Sequence, residues 1–170
     1  LSMNKKNMIR GCLFFIIIAG SIMIWQRYTF HKIQQNKIQQ NLKNNLIRFH
    51  VRANSDSSFD QACKLKVRDA VISKVSQMMD KADTKEEAFD ILKKQKDSIK
   101  NTAQEILKKE GVIQKVKVHF VQEKFPEKTY GQYTFPEGIY DALRIDLGEA
   151  KGHNWWCVMY PNMCFSDSML

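Results

Sequence analysis

A run without a charged residue, from Gly11 to Trp25, constrains this chain more than any other feature of its sequence. Lys5, Lys6 and Arg10 precede it, and a basic segment followed by about fifteen apolar residues is typical of a secretory signal. A free-standing membrane span usually needs about 20 apolar residues, with about 17 as the lower limit. The run therefore predicts that residues 1–25 are a signal peptide or a short signal-anchor, with a buried core helix as the less favoured alternative.

The basic charge of the chain is concentrated around and just after this apolar run. The chain has 27 Lys and Arg residues against 18 Asp and Glu residues, a formal net charge of +9. Nine of the basic residues and none of the acidic ones lie in residues 1–55, which leaves 18 of each in residues 56–170. Nucleic-acid binding needs a basic domain face, so we expect no nucleic-acid partner. Membrane headgroups, by contrast, can attract the N-terminal segment.

Residues 26–45 form a polar, basic tether between the apolar run and the rest of the chain. Ile33, Ile38 and Leu42 recur at intervals of four or five residues, which fits a loose helical stem. A disordered linker is equally compatible with this composition. Because basic residues precede the apolar run, we expect the N-terminus to stay inside and residues 46–170 to be exported or anchored outside.

Residues 46–170 predict a single globular domain of the α+β class. Residues 46–53 alternate apolar and polar side chains, which predicts a half-buried strand with His50 on its solvent face. A turn at 54–57 then begins a helix that runs to about Met79. The domain as a whole has the order β-α-α-β-β-β, with two helices on one face of a mostly antiparallel sheet, and four further elements and a loop follow the first helix. These are a capped helix from Thr84 to Gly111, strands at 116–120, 139–147 and 156–160, and an aromatic loop at 125–138.

Two cysteines near the C-terminus, Cys157 and Cys164, are seven residues apart with Pro161 between them. In an exported chain they predict a disulfide that closes a small loop. Free buried thiols and a metal pair with His153 are the alternatives, although zinc would need four ligands.

A catalytic interpretation of the same segment is an exported cysteine hydrolase that acts on cell wall or peptide. Cys157 or Cys164 would be the nucleophile, His153 the base, and Asn154 the residue that orients it. His119, like His50, falls on the polar side of its strand and is expected to be exposed. The sequence has no Gly-rich phosphate loop, no G-x-S-x-G and no H-E-x-x-H. We therefore predict no metal, no cofactor and no small-molecule substrate.

Aromatic side chains are concentrated in two places in the second half of the chain. Trp, Tyr and Phe anchor many protein interfaces, so these residues predict a partner-binding surface. Burial of the same rings against one another in the core is the alternative. The candidates, together with His153 and Asn154, are Tyr130, Tyr133, Phe135, Trp155 and Trp156.

Two long blocks of sequence resemble the stage II sporulation protein R family. The first comprises residues 47–57, 60–62 and 64–71, and the second comprises 128–131, 135–140, 142–144, 152–161 and 164–165. The resemblance spans about residues 46 to 166. Two positions depart from the family pattern, Glu137 where a small residue is usual and Ala150 where Gly is common.

The resemblance implies a non-enzymatic signalling protein of endospore formation. Such a protein is made in the forespore and exported across, or anchored in, the forespore membrane, so that its domain lies in the intermembrane space. Its partner is a membrane-embedded aspartic protease of the mother cell, which it activates to process a pro-sigma factor. These expectations come from the family and not from composition or spacing.

Overall fold

Helix α1 (Lys5–Asn45) contains both the apolar run and the tether in the computed structural model, which describes residues 5–130, 133–161 and 164. The tether is therefore helical and not a disordered linker. The chain divides into two units, Leu1–Gln40 and Asn41–Leu170, and most of α1 makes up the first.

The segment Leu13–Leu42 of α1 is long and apolar enough to cross a membrane. Its large apolar side chains are exposed, including those of Phe15, Ile17 and Trp25, so this is not a buried core helix. A signal sequence meets the same criteria of length and composition. The structure thus retains both predictions for the N-terminus, a signal and an anchor.

The elements of the second unit are β1 (Ile47–Arg52), α2 (Ser58–Met79), α3 (Lys85–Lys94), α4 (Lys96–Lys109), β2 (Val116–Phe125), β3 (Lys128–Tyr130), β4 (Tyr133–Phe135), β5 (Gly138–Leu147) and β6 (Asn154–Tyr160). The main sheet has its strands in the order β2–β5–β1–β6, and β3 and β4 form a separate hairpin. β1 is parallel to β5, whereas β2–β5 and β1–β6 are antiparallel. The predicted α+β class with a mostly antiparallel sheet is confirmed.

Two predicted elements differ from the structure. The single helix expected from Thr84 to Gly111 is interrupted at Gln95, and α3 and α4 lie on either side of it. Each of the two helices directs its own apolar residues into the core, such as Leu92 from α3 and Ile99 from α4. The predicted aromatic loop contains the hairpin β3–β4, in which Thr129 lies opposite Thr134. Alternation of Thr with aromatic residues, which favours strands, explains the hairpin.

Strand β1 is buried on both faces of the sheet. One face packs under α2, α3 and α4, where Phe49 and Val51 contact the main core. The other face lies in a second apolar cluster that includes Phe125, Phe135 and Tyr140. The prediction of a half-buried strand is therefore wrong, because β3–β4 and the end of β2 cover the side that was expected to face solvent.

Removal of a core side chain should show how much the domain depends on the helix face. Leu92→Ala should lower the free energy of unfolding by about 2–5 kcal/mol, because Leu92 is fully buried and the substitution leaves a cavity. Ile113→Ala is the matched control, since the Ile113 side chain is fully exposed. Urea unfolding of the full chain in a non-ionic detergent measures both. Equal losses in the two variants would contradict the assignment of the core.

Candidate partner-binding site

Two loops meet at one end of the sheet, the loop after β1 and the loop before β6. The amide of Gly152 donates to the carbonyl of Ala53 over 3.0 Å, and the amide of Lys151 donates to that of Asn54 over 3.2 Å. The loops approach so closely that a Cβ on Gly152 would collide with the backbone of Ser55. Glycine is therefore required at this position by close packing of the two backbones.

Asp60, in the first turn of α2, holds this corner together. Its carboxylate accepts hydrogen bonds from Asn54 Nδ2 at 2.9 Å, Ser55 Oγ at 2.6 Å and Gln114 Nε2 at 3.2 Å. The hydrogen bond from Ser55 is the main cause of the lowered pKa of Asp60, and the bonds from Asn54 and Gln114 add to it. The corner is thus fixed by a buried carboxylate whose charge is fully hydrogen-bonded.

His153 is positioned by this corner and presents its ring to solvent. One carboxylate oxygen of Asp56, Oδ1, lies 2.6 Å from the His153 amide nitrogen and 2.5 Å from ring atom Nδ1. The backbone hydrogen bond from His153 is the main reason that the pKa of Asp56 is lowered. Lys64 Nζ donates to the His153 carbonyl over 3.0 Å from within the core. Hydrogen bonds hold both the backbone amide and the backbone carbonyl of His153, while 83 % of its side chain remains accessible.

An open cleft lies beside this histidine. It brings the segment before β6 together with the β3–β4 hairpin, which contributes Lys128. Asp56 and Gly152 were not among the predicted site residues. Nor were two lysines, Lys128 and Lys151. Their only sequence signal was a positive charge next to the aromatic and Gly-rich segments. The cleft is lined by Asp56, Lys128, Lys151, Gly152, His153, Asn154 and Trp156.

Trp155 and Trp156 lie on opposite faces of the sheet, as successive strand residues must. Trp155 packs edge-on against Phe49 with ring centres 6.1 Å apart, and the guanidinium of Arg68 lies 4.7 Å from its ring centre. Trp156 stacks on the ring of His50, with centroids 4.7 Å apart and planes 1° from parallel. Of the two tryptophans, only Trp156 therefore lines the cleft beside His153.

The aromatic residues of the hairpin region pack inward. Tyr130 is half-buried and its hydroxyl donates to the carbonyl oxygen of Trp156 over 3.0 Å. Phe135 is buried in the second apolar cluster. Tyr133 lies in β4, and its side chain is outside the described part of the structure. Tyr130 and Phe135 thus pack on the interior side of Trp156 and do not line the cleft.

A network of ionisable side chains lies across the same face of the sheet. His50 is only 2 % exposed, so the expectation that it faces solvent is wrong. Its Nε2 lies 2.7 Å from Glu123, which also accepts a hydrogen bond from Arg144. Burial is the main reason that the pKa of His50 falls to about 4, against an ordinary value of 6.5. His50 is therefore neutral at pH 7 and supports Trp156 by stacking.

Cys157 and Cys164 are joined by a disulfide, with their Cα atoms 5.7 Å apart. This is consistent with the predicted bond. Because a sulfur held in a disulfide is not a nucleophile, the hydrolase alternative has no reactive thiol here. Within residues 5–130, 133–161 and 164, no three His, Cys, Asp or Glu side chains are grouped so as to hold a metal ion.

A surface cleft on an α+β domain that follows an apolar helix is suited to binding a partner. The family model of stage II sporulation protein R matches residues 43–169. Stage II sporulation protein R of Bacillus subtilis (strain 168) is 34 % identical over 164 residues, which cover 96 % of this chain and 72 % of the relative. No solved structure matches the chain. The chain therefore belongs to the stage II sporulation protein R family, and its role is in sporulation.

The buried histidine predicts a defined dependence of stability on pH. Below about pH 6.5 the unfolded chain binds a proton at His50 that the folded chain does not bind until about pH 4. The free energy of unfolding should therefore fall as the pH drops from about 6.5 to about 4, and His50→Gln should reduce this slope. Urea unfolding at a series of pH values measures it.

His119→Gln is the control for this slope. Burial also lowers the pKa of His119, but its side chain is 34 % exposed, so its share should be smaller. Asp56 and Asp60, whose pKa values are lowered, lose their contribution only at more acidic pH. An unchanged slope in His50→Gln would contradict the neutral, buried state of His50.

Proposed function

We propose that this protein is an exported sporulation signalling protein that activates a membrane-embedded aspartic protease of the mother cell. The activated protease then processes a pro-sigma factor. The observation that carries the proposal is the cleft that joins Lys128 of the hairpin to His153, Asn154 and Trp156. It combines an exposed histidine, an aromatic ring and two lysines, which suits it to a protein partner.

The proposed location is the space between the forespore and mother-cell membranes. The apolar part of α1 would serve as the export signal or as the anchor in the forespore membrane. The Cys157–Cys164 disulfide fits an exported protein, because such bonds persist outside the reducing cytoplasm. The neutral domain would then face the outer surface of the protease.

The proposed mechanism is a shift of the protease toward its active arrangement. Aspartic-protease sites use two Asp residues, so this arrangement is a protease dimer in the proposal. A ligand shifts such an equilibrium only by its difference in affinity for the two states. Lys128 and Lys151 at the rim of the cleft favour an acidic segment of the partner and would speed its encounter.

The cleft predicts which substitutions abolish activation. The protease, its pro-sigma substrate and this protein would be expressed together in a heterologous bacterial host. His153→Ala and Trp156→Ala should each reduce processing by about tenfold or more, as expected for anchors at the centre of an interface. Trp155→Ala should mainly lower stability, because Trp155 packs on Phe49 and Arg68 away from the cleft.

Lys74→Ala is the control, since Lys74 is exposed on α2 and does not line the cleft. A second strain, in which residues 1–25 are deleted, blocks export. Processing in both strains would contradict action from outside. Absence of processing with a protein shown to be exported and folded would contradict the proposed function itself.

A further inference from the structure

Arg48 lies in the middle of β1 and is completely buried. None of its three guanidinium nitrogens, Nε, Nη1 and Nη2, has a hydrogen-bond partner within the described residues. A guanidinium carries five N–H donors and is the side chain that most needs acceptors when it leaves water. An arginine in this state needs a chemical explanation.

Four aromatic rings surround this guanidinium. Its central carbon lies 4.8 Å from the ring centre of Phe125, 5.3 Å from Tyr140, 5.6 Å from Phe135 and 5.9 Å from Tyr130. Both tyrosine hydroxyls donate elsewhere, Tyr130 to the Trp156 carbonyl and Tyr140 to the Pro136 carbonyl over 2.8 Å. The rings therefore present their faces to Arg48, and no oxygen of the described residues accepts a hydrogen bond from its N–H groups.

Cation–π contacts offset part of the cost of burying this charge, but they do not replace hydrogen bonds. Burial lowers the pKa of Arg48, which reflects the same unfavourable environment. The group that best satisfies a guanidinium is a carboxylate, which accepts two parallel N–H bonds. Within the described part of the chain, no carboxylate reaches Arg48.

Part of the cover over Arg48 is the β3–β4 hairpin, which continues the β2–β5 pair beyond Phe125 and Gly138. The β3–β4 hairpin has strands of three residues and pairs with no strand of the main sheet. Within the described residues no third strand flanks these two short strands, so the hairpin should open at lower cost than the four-stranded sheet. Tyr130 and Phe135 of the hairpin supply two of the four rings, and Lys128 of the same hairpin lines the cleft.

We propose that Arg48 is a concealed carboxylate-binding site that opens when the β3–β4 hairpin lifts. This inference rests on the proposed function, because the carboxylate is an Asp or Glu side chain of the protease partner docked in the cleft. Contact with Lys128 and Trp156 draws the partner to the hairpin, and the hairpin gives way to admit the acidic side chain. Arg48 then exchanges its contacts with the rings of Tyr130 and Phe135 for a charge-assisted hydrogen-bonded pair.

Substitution of Arg48 tests this in the processing assay. Arg48→Met keeps an elongated, unbranched side chain without the charge, and replacement of a buried ion by an apolar group is often neutral or stabilising. It should leave unfolding unchanged or shifted to higher urea, while processing falls by tenfold or more. Arg68→Met, which removes the guanidinium over Trp155, should keep processing within twofold. A folded Arg48→Met protein with normal processing would overturn the inference and leave the proposed function intact.

A second measurement uses the unmodified full chain and does not depend on the protease. Phenylglyoxal, which reacts with accessible guanidinium groups, would be applied in native buffer, and the modified arginines would be mapped by mass spectrometry. Arg48 should react more slowly than the partly exposed Arg52, yet at least tenfold faster than the chain unfolds globally. Acetate, compared with chloride at equal ionic strength, should slow the reaction at Arg48 more than at Arg52. Reaction of Arg48 only at the rate of global unfolding would overturn the inference.

Discussion

Burial of β1 on both faces is the constraint on which the rest of the domain depends. The strand has β5 on one edge and β6 on the other, helices over one face, and the hairpin and aromatic residues over the other. Every second side chain of a strand points to the same face. The polar residues of β1 are therefore carried into the interior by the same alternation that packs Phe49 and Val51.

The three polar side chains of β1 are each stabilised in a different way. Arg52 forms an ion pair with Asp146 at 2.7 Å near the edge of the cluster. His50 loses its charge, bonds Glu123 and stacks on Trp156. Arg48 keeps its charge among aromatic rings without an acceptor. This last arrangement is the most costly, because a buried ion without a hydrogen-bonded partner is strongly unfavourable.

The cleft and the Arg48 cage are connected through shared elements. Trp156 lines the cleft, stacks on His50 and accepts the hydrogen bond of Tyr130, which is itself part of the cage. A ligand in the cleft therefore contacts an element whose displacement changes the environment of Arg48. Membership of the stage II sporulation protein R family places this domain in sporulation, and the apolar helix that precedes it is long enough to cross a membrane.

Local patterns in the sequence were sufficient for the apolar helix, the α+β class, most strand positions and the turn at 54–57 that precedes α2. Those features depend on periodicity, capping and charge within a few residues. The break at Gln95, the β3–β4 hairpin, the burial of Arg48 and His50, and the lysines of the cleft were decided by tertiary structure. The pair Asp56–His153, for example, joins residues 97 apart in the chain. Alternation along β1 shows which residues share a face, but only packing by distant segments determines whether that face meets water.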